Sequence, residues 1–268
     1  MDARVAIAYD FQAQWAWMGP AMPSTGVDYP EIAQLVHRLL RERGITADVV
    51  HPSADLRGYD VIVVPTLYLV SDADAANLRK AAEDGAQLLV TYVSGLVDEC
   101  DHVRLGGYPG AFADLLGIRV EELAPLLDGQ QIALSRGTGS RWSEFATAID
   151  AEVLIAYAEA PLAGRPALTR RRLGDGGAWY AGTRFDDDTW RAVLTDIVEA
   201  AGATPAAEVP VGVEAVRRRN GERSWLFLLN HSSLPADVRA SGFDLISGQS
   251  VGPEVHLAPG GCAVIREG

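Results

Sequence analysis

VIVVPTLYLVSDADAANLRKAAEDGAQLLVTYV, residues 61–93, decides the fold of this chain. Val61–Val64 is a continuous β-branched run, the pattern of a strand covered on both faces. Ser71 can cap a following helix, and Asp72 and Asp74 lie where the positive end of the helix dipole favours carboxylates. That helix is expected to run to about Asp84, with Gly85 just beyond it. Gln87–Val93 then reads as a second buried strand. Parallel neighbours need a crossover, and a crossover helix packs back on the sheet.

The same alternation extends outward. Arg4–Tyr9 (RVAIAY) reads as a short buried strand ending at Asp10. YPEIAQLVHRLLRERG carries apolar residues at Ile32, Leu35, Val36, Leu39 and Leu40, a helical period with Pro30 in the first turn and Gly44 as the stop. Ile45–Val50 is the next strand. Beyond residue 93, a short helix is expected at Pro109–Leu116, strands at Arg119–Leu123, Gln131–Leu134, Glu152–Tyr157 and Ala178–Thr183, and a helix at Asp188–Ala201. The chain is therefore predicted to be α/β, a parallel sheet with helices on both faces. Residues 203–210 (ATPAAEVP) read as a linker, after which no helical period appears. Val211–Arg219, Arg223–His231 and Cys262–Arg266 are strand-like, with Asn220-Gly221 as a type I′ hairpin signal. A small antiparallel β domain follows.

Composition narrows the partners. The net charge is −13, which disfavours nucleic acid and anionic membrane surfaces, since neither gains from counterion release. The longest apolar runs contain proline and are far short of a membrane span. The first residues lack a basic segment followed by an apolar core, so no signal peptide is expected. Cys100 and Cys262 are the only cysteines, and two reduced thiols point to the cytoplasm.

No motif announces chemistry. The first strand runs into DFQAQWAW with no G-x-G-x-x-G, and the P-loop pattern is absent. Ser94-Gly95 follows a strand, as a nucleophile on a tight turn would, but TYVSGLV is not G-x-S-x-G. Cys100 and His102, with Asp98 and Glu99 nearby, are too close in sequence to resemble triad partners. The five histidines show no ligand spacing, so no metal and no cofactor is expected. Ligands of open α/β sheets bind at strand carboxyl ends, here Asp10, Phe11, Gln12, Pro65, Thr66, Ser94 and Gly95.

The stretch Phe11–Tyr29 stands apart. It holds Phe11, Trp15, Trp17, Met18 and Met22 with no charge before Asp28. An apolar loop of this length is costly to expose. Either it folds over its own core, or it packs on another subunit with tryptophan as anchor. Indoles also suit the apolar face of a sugar ring.

RVAIAYDFQAQWAW (4–17), the PS and VDYP of Pro23–Pro30, YDVIVVPTLYLV (59–70), TYVSGLVDECDHVRLGGYPGAFADLLGI (91–118), AWYAGTRFD (178–186) and WLFLLNH (225–231) together resemble β-galactosidases of glycoside hydrolase family 42, in the region after their catalytic barrel. The resemblance runs from residue 4 to 231 in family order. It implies a flavodoxin-like trimerisation domain, related in fold to class I glutamine amidotransferases, over residues 1–204. A C-terminal β-sandwich-like domain is implied over 205–268.

In that family a (β/α)₈ barrel carries an acid/base and a nucleophile glutamate acting by the retaining mechanism. Such a barrel takes about 250 residues, and no such segment precedes Arg4, so both glutamates are expected to be missing from this sequence. The resemblance implies a homotrimer, the catalytic barrel as partner, and galactoside contact that is only indirect. Phe11, Gln12, Gln14, Trp15 and Trp17 correspond to a segment near a neighbour's active-site mouth. Trp15 matches one member of the family's tryptophan pair, Trp17 is displaced, and the acidic residue is not kept. Ser94, Gly95, Asp98 and Glu99 are the sheet-edge candidates, with Ser94 near the place of the amidotransferase nucleophile. No catalytic residue is expected. A stand-alone carbohydrate-binding domain using Trp15 and Trp17, or an amidotransferase-like enzyme using Ser94 or Cys100, are the competing readings.

Overall fold

The computed structural model describes residues 3–20 and 22–268. The chain divides into two compact units. The larger comprises Ala6–Leu35 and Val49–Gly202; the smaller gathers the chain up to Val5 with Val36–Asp48 and Ala203–Gly268.

The first half follows the alternation read from sequence. It runs β1 (Val5–Ala8), α1 (Phe11–Trp17), α2 (Tyr29–Arg41), β2 (Ala47–Val50), β3 (Val61–Val64), α3 (Asp72–Glu83) and β4 (Gln87–Thr91). Ser71 caps α3 by accepting a hydrogen bond from Asp74 N at 3.1 Å. Ala75, Leu78 and Ala82 form the buried stripe of that helix, which lies against the sheet. Full burial of Leu78 alone is worth roughly 1.5–3 kcal/mol. β1, β3 and β4 are buried along their whole length, as central strands are.

The second half is α4 (Ala113–Leu116), β5 (Ile118–Leu123), β6 (Gln131–Ala133), β7 (Thr138–Ser140), β8 (Glu144–Ala148), β9 (Glu152–Ala156), β10 (Pro166–Leu173), β11 (Gly176–Ala181), β12 (Arg184–Phe185) and α5 (Asp187–Ala200). The main sheet has the order β2-β1-β3-β4-β11-β10-β9. Here the expectation of a parallel sheet needs correction. β3, β4 and β11 pair in parallel, but β11–β10 and β10–β9 are antiparallel, so the sheet is mixed. The reason is the two-residue connection Gly174-Asp175 between β10 and β11, which permits a hairpin and leaves no room for a crossover. Of two small sheets, β5-β8 lies in the excursion between α4 and β9, and β12-β7-β6 joins two strands of that excursion to β12, which follows β11.

Helix α5 buries Trp190, Val193, Leu194, Ile197 and Val198 along one face. Asp186 caps it, accepting from Thr189 N at 2.8 Å, while its second oxygen accepts from Thr138 N at 2.7 Å. One carboxylate thus serves a helix end and the start of β7. Gly137, at φ +72°, passes so close that an added Cβ would lie 2.5 Å from the Asp186 carboxylate.

The C-terminal β region contains β13 (Val213–Asn220), β14 (Arg223–Asn230), β15 (Ala236–Arg239), β16 (Gly242–Asp244), β17 (Gln249–Val251), β18 (Glu254–Leu257) and β19 (Cys262–Glu267). A five-stranded sheet, β13-β14-β19-β16-β17, and the β15-β18 pair share one core of Val213, Ala215, Leu226, Leu228, Val238, Val255, Leu257, Ala263 and Ile265. The hairpin lies one residue later than the Asn-Gly signal placed it. Asn220 pairs with Arg223, so Gly221 and Glu222 form the turn. Only Gly221 has positive φ, 60°, the pattern of a turn with glycine at its first central position.

Candidate assembly face and the carboxyl edge of the sheet

Asp10 lies two residues beyond β1 and is the N-cap of α1. Its side chain accepts from Gln12 N at 2.8 Å, giving an N-cap to a short helix whose alanines and glutamines are themselves good helix formers. The expected loop is therefore helical in its first part. The seven residues of α1 sort their aromatics by face. Ala13 and Trp17, one turn apart, are buried, and Trp17 Nε1 donates to Val27 O at 2.9 Å. The Trp17 ring meets Tyr68 edge-on at 5.3 Å between centroids. Phe11, Trp15 and Met18, spaced i, i+4 and i+7, are 62, 67 and 72 % exposed. Phe11 and Trp15 lie 6.4 Å apart, and Phe11 is braced edge-on by Tyr9 at 5.4 Å. Gln14 accepts from Tyr9 Oη at 2.6 Å, and Gln12 is exposed. Trp17 thus folds inward onto its own core, whereas Phe11, Trp15 and Met18 form an apolar stripe exposed at the surface.

At the ends of β3 and β4 the backbone is strained. Thr66 (φ 46°) and Val93 (φ 73°) both lie in the left-handed region, which is costly for β-branched residues. The position of sharpest backbone demand after β4 is therefore Val93, one residue before Ser94. Ser94 is fully buried; its hydroxyl accepts from Leu67 N at 3.0 Å and donates to Val64 O at 3.3 Å. Thr91 Oγ1 accepts from Thr66 N at 2.8 Å. Both hydroxyls satisfy backbone groups of the Thr66 turn, a structural use of Ser94. Gly95, at φ 71°, packs so tightly that an added Cβ would lie 2.8 Å from the Phe112 ring.

The model of the β-galactosidase trimerisation domain matches residues 3–203, and that of the β-galactosidase C-terminal domain matches residues 212–267. The chain belongs to the β-galactosidase trimerisation-domain family. A β-galactosidase of Arthrobacter sp is 47% identical over 269 residues, covering 100% of this chain and 38% of the relative. The β-galactosidase LacZ of Heyndrickxia coagulans is 36% identical, covering 95% of this chain and 39% of its own length. Among solved structures, the β-galactosidase from Bacillus circulans sp. alkalophilus superposes with a TM-score of 0.94 at 28% identity, over 100% of this chain and 42% of that one. This chain spans about two fifths of the length of these relatives.

Elsewhere in this trimerisation domain, Asp98 accepts through one oxygen from Cys100 N and His102 N, both at 2.9 Å. These bonds, that from His102 foremost, hold the Asp98 carboxyl below its ordinary range. Glu99 is exposed. The absence of ligand spacing read from the sequence is revised by this turn: Asp98, Cys100 and His102 place an oxygen, a sulfur and a nitrogen within 4.8 Å of one another.

One buried group carried no signal in the sequence. Glu144 is fully buried, and Trp142 Nε1 donates to its carboxylate at 3.1 Å. Tyr108 and Tyr180 are buried close by, with their hydroxyls 3.4 Å apart, and Tyr157 donates to Gly182 O at 2.9 Å. Burial pushes the Glu144 carboxyl up to about 8, so it is mostly protonated at neutral pH. The trimerisation domain spends this acid as a neutral core group.

Proposed function

We propose that this region assembles a β-galactosidase into a homotrimer and performs no hydrolysis itself. The observation that carries the reading is the exposed Phe11–Trp15–Met18 stripe on a domain whose family is named for trimerisation. A rigid aromatic stripe on a short capped helix is the kind of surface that anchors an interface, because little side-chain freedom is lost on docking. Residues 1–204 form the assembly domain, with a flavodoxin-like, class I glutamine amidotransferase-like architecture; residues 205–268 form the β-sandwich-like module. In the whole enzyme, terminal β-D-galactosides are hydrolysed with retention by two glutamates of a catalytic barrel. The Phe11–Trp17 segment walls a neighbour's cleft and touches galactoside only indirectly. Two free cysteines and the net charge of −13 suit a cytoplasmic enzyme with no nucleic-acid or membrane partner. An amidotransferase role for Ser94 has no support from a hydroxyl that is buried and bonded to backbone on both sides.

Native mass spectrometry or light scattering of the chain at tens of micromolar tests the reading. A trimer is expected; a strict monomer overturns self-sufficient assembly. Hydrolysis of a chromogenic β-galactoside by the pure chain, abolished by Ser94→Ala or Glu99→Gln, overturns the non-catalytic reading.

A further inference from the structure

The geometry points to a divalent-metal site in the 97–103 turn, with Cys100 Sγ, the His102 imidazole and the Asp98 carboxylate as ligands and Zn²⁺ as the fitting ion. The turn is closed by antiparallel pairing of Val97 with Val103 and by hydrogen bonds from Asp98 N to His102 O at 3.0 Å and from Asp101 N to Asp98 O at 3.1 Å. Asp101 takes a left-handed conformation, φ 63°, that makes the reversal. D-x-C-x-H in this geometry brings the three side chains to one side of the turn, with their ligand atoms within 4.8 Å of one another.

Two features argue for a prepared site. First, the two backbone amides that bind one Asp98 oxygen orient the carboxylate, and its other oxygen lies 3.5 Å from His102 Nδ1. Ligand bonds of about 2.0–2.3 Å in a tetrahedron place ligand atoms about 3.3–3.8 Å apart, so this pair already spans one edge of a zinc polyhedron. The amides act as the outer partners that steer a ligating carboxylate. Second, the donor set is mixed. A thiolate with an imidazole and one carboxylate suits Zn²⁺ and disfavours Mg²⁺ and Ca²⁺, which prefer oxygen alone. Cys100 is a free, exposed thiol and His102 is exposed, so an ion can enter from solvent and take water as its fourth ligand.

Cobalt titration of the full chain tests the site, because thiolate ligation produces a near-ultraviolet charge-transfer band. The expected result is a band that saturates near one equivalent of Co²⁺, is displaced by Zn²⁺, and survives Cys262→Ser. Cys100→Ser should abolish it, and His102→Ala should weaken Co²⁺ binding by more than about tenfold, with far-ultraviolet circular dichroism unchanged in both. No band in the wild-type chain, or a band that persists in Cys100→Ser and vanishes in Cys262→Ser, overturns the assignment.

Discussion

The indole of Trp142 donates to the carboxylate of Glu144 at 3.1 Å inside a core from which both side chains exclude water. Glu144 has a folded-state value of about 8 against an ordinary 4.5, so the native state keeps its proton where the unfolded state has lost it. Stability from this group is fully present below pH 4.5 and declines as pH rises toward 8. The whole difference is on the order of 4–5 kcal/mol. Glu144→Gln keeps an acceptor for Trp142 and removes the titration. Chemical denaturation at pH 5 and pH 8 should show a smaller loss of stability in the variant, with the variant more stable at pH 8. An unchanged pH slope would sink this account.

Gly182 borders the same carboxylate, and an added Cβ would lie 2.8 Å from Glu144 Oε1. Gly182→Ala is expected to cost about 1–3 kcal/mol through overpacking. Combining it with Glu144→Gln should not restore stability, because the amide is no smaller. Urea unfolding of the single and double variants measures this.

The two faces of α1 predict opposite phenotypes. Trp17→Ala removes a buried ring and its hydrogen bond to Val27, and should destabilise by about 3–5 kcal/mol. Trp15→Ala should change monomer stability by less than about 0.5 kcal/mol, since the ring is largely in solvent. Its expected effect is on mass: a lower trimer fraction by light scattering. Trp15→Ala that assembles like the wild type would remove Trp15 from the interface.

Asp186→Ala withdraws the acceptor from Thr189 N and Thr138 N together. The expected loss is about 2 kcal/mol, above an ordinary N-cap, since two elements lose a partner. Thermal unfolding followed at α5 is the direct measurement.

Ser94→Ala leaves Leu67 N without its acceptor in a buried turn. A loss of about 1–3 kcal/mol is expected, with no effect on any hydrolytic activity of the assembled enzyme. A catalytic Ser94 would instead lose activity with stability intact.

How far the fold could be read in advance depended on how local its causes are. Ser71, Asp72 and Gly85 bracket α3 with short-range signals, and the helix forms where they say. Helix α1 went unread because seven residues give barely two turns of period and the cap, Asp10, lies two residues beyond a strand. Strand β10 was hidden by Arg170, Arg171 and Arg172, a run that reads as a solvated face; Arg170 in fact lies over the Trp179 ring at 4.8 Å. Its antiparallel pairing is a tertiary choice made by a short turn. The outward stripe of α1 was visible as composition but not as a face. Glu144 was invisible, because its neutrality depends on burial by segments distant in the sequence. Spacing along the chain does not say whether Asp98, Cys100 and His102 converge; the hydrogen-bonded 97–103 turn brings them together.

The left-handed turn at Val93 has a consequence for engineering. The hydroxyls of Thr91 and Ser94 tie down the neighbouring Thr66 turn, while the Val93 side chain is itself buried. A glycine at residue 93 would relax the left-handed backbone but empty a filled place in the core, so the turn trades chain geometry against packing.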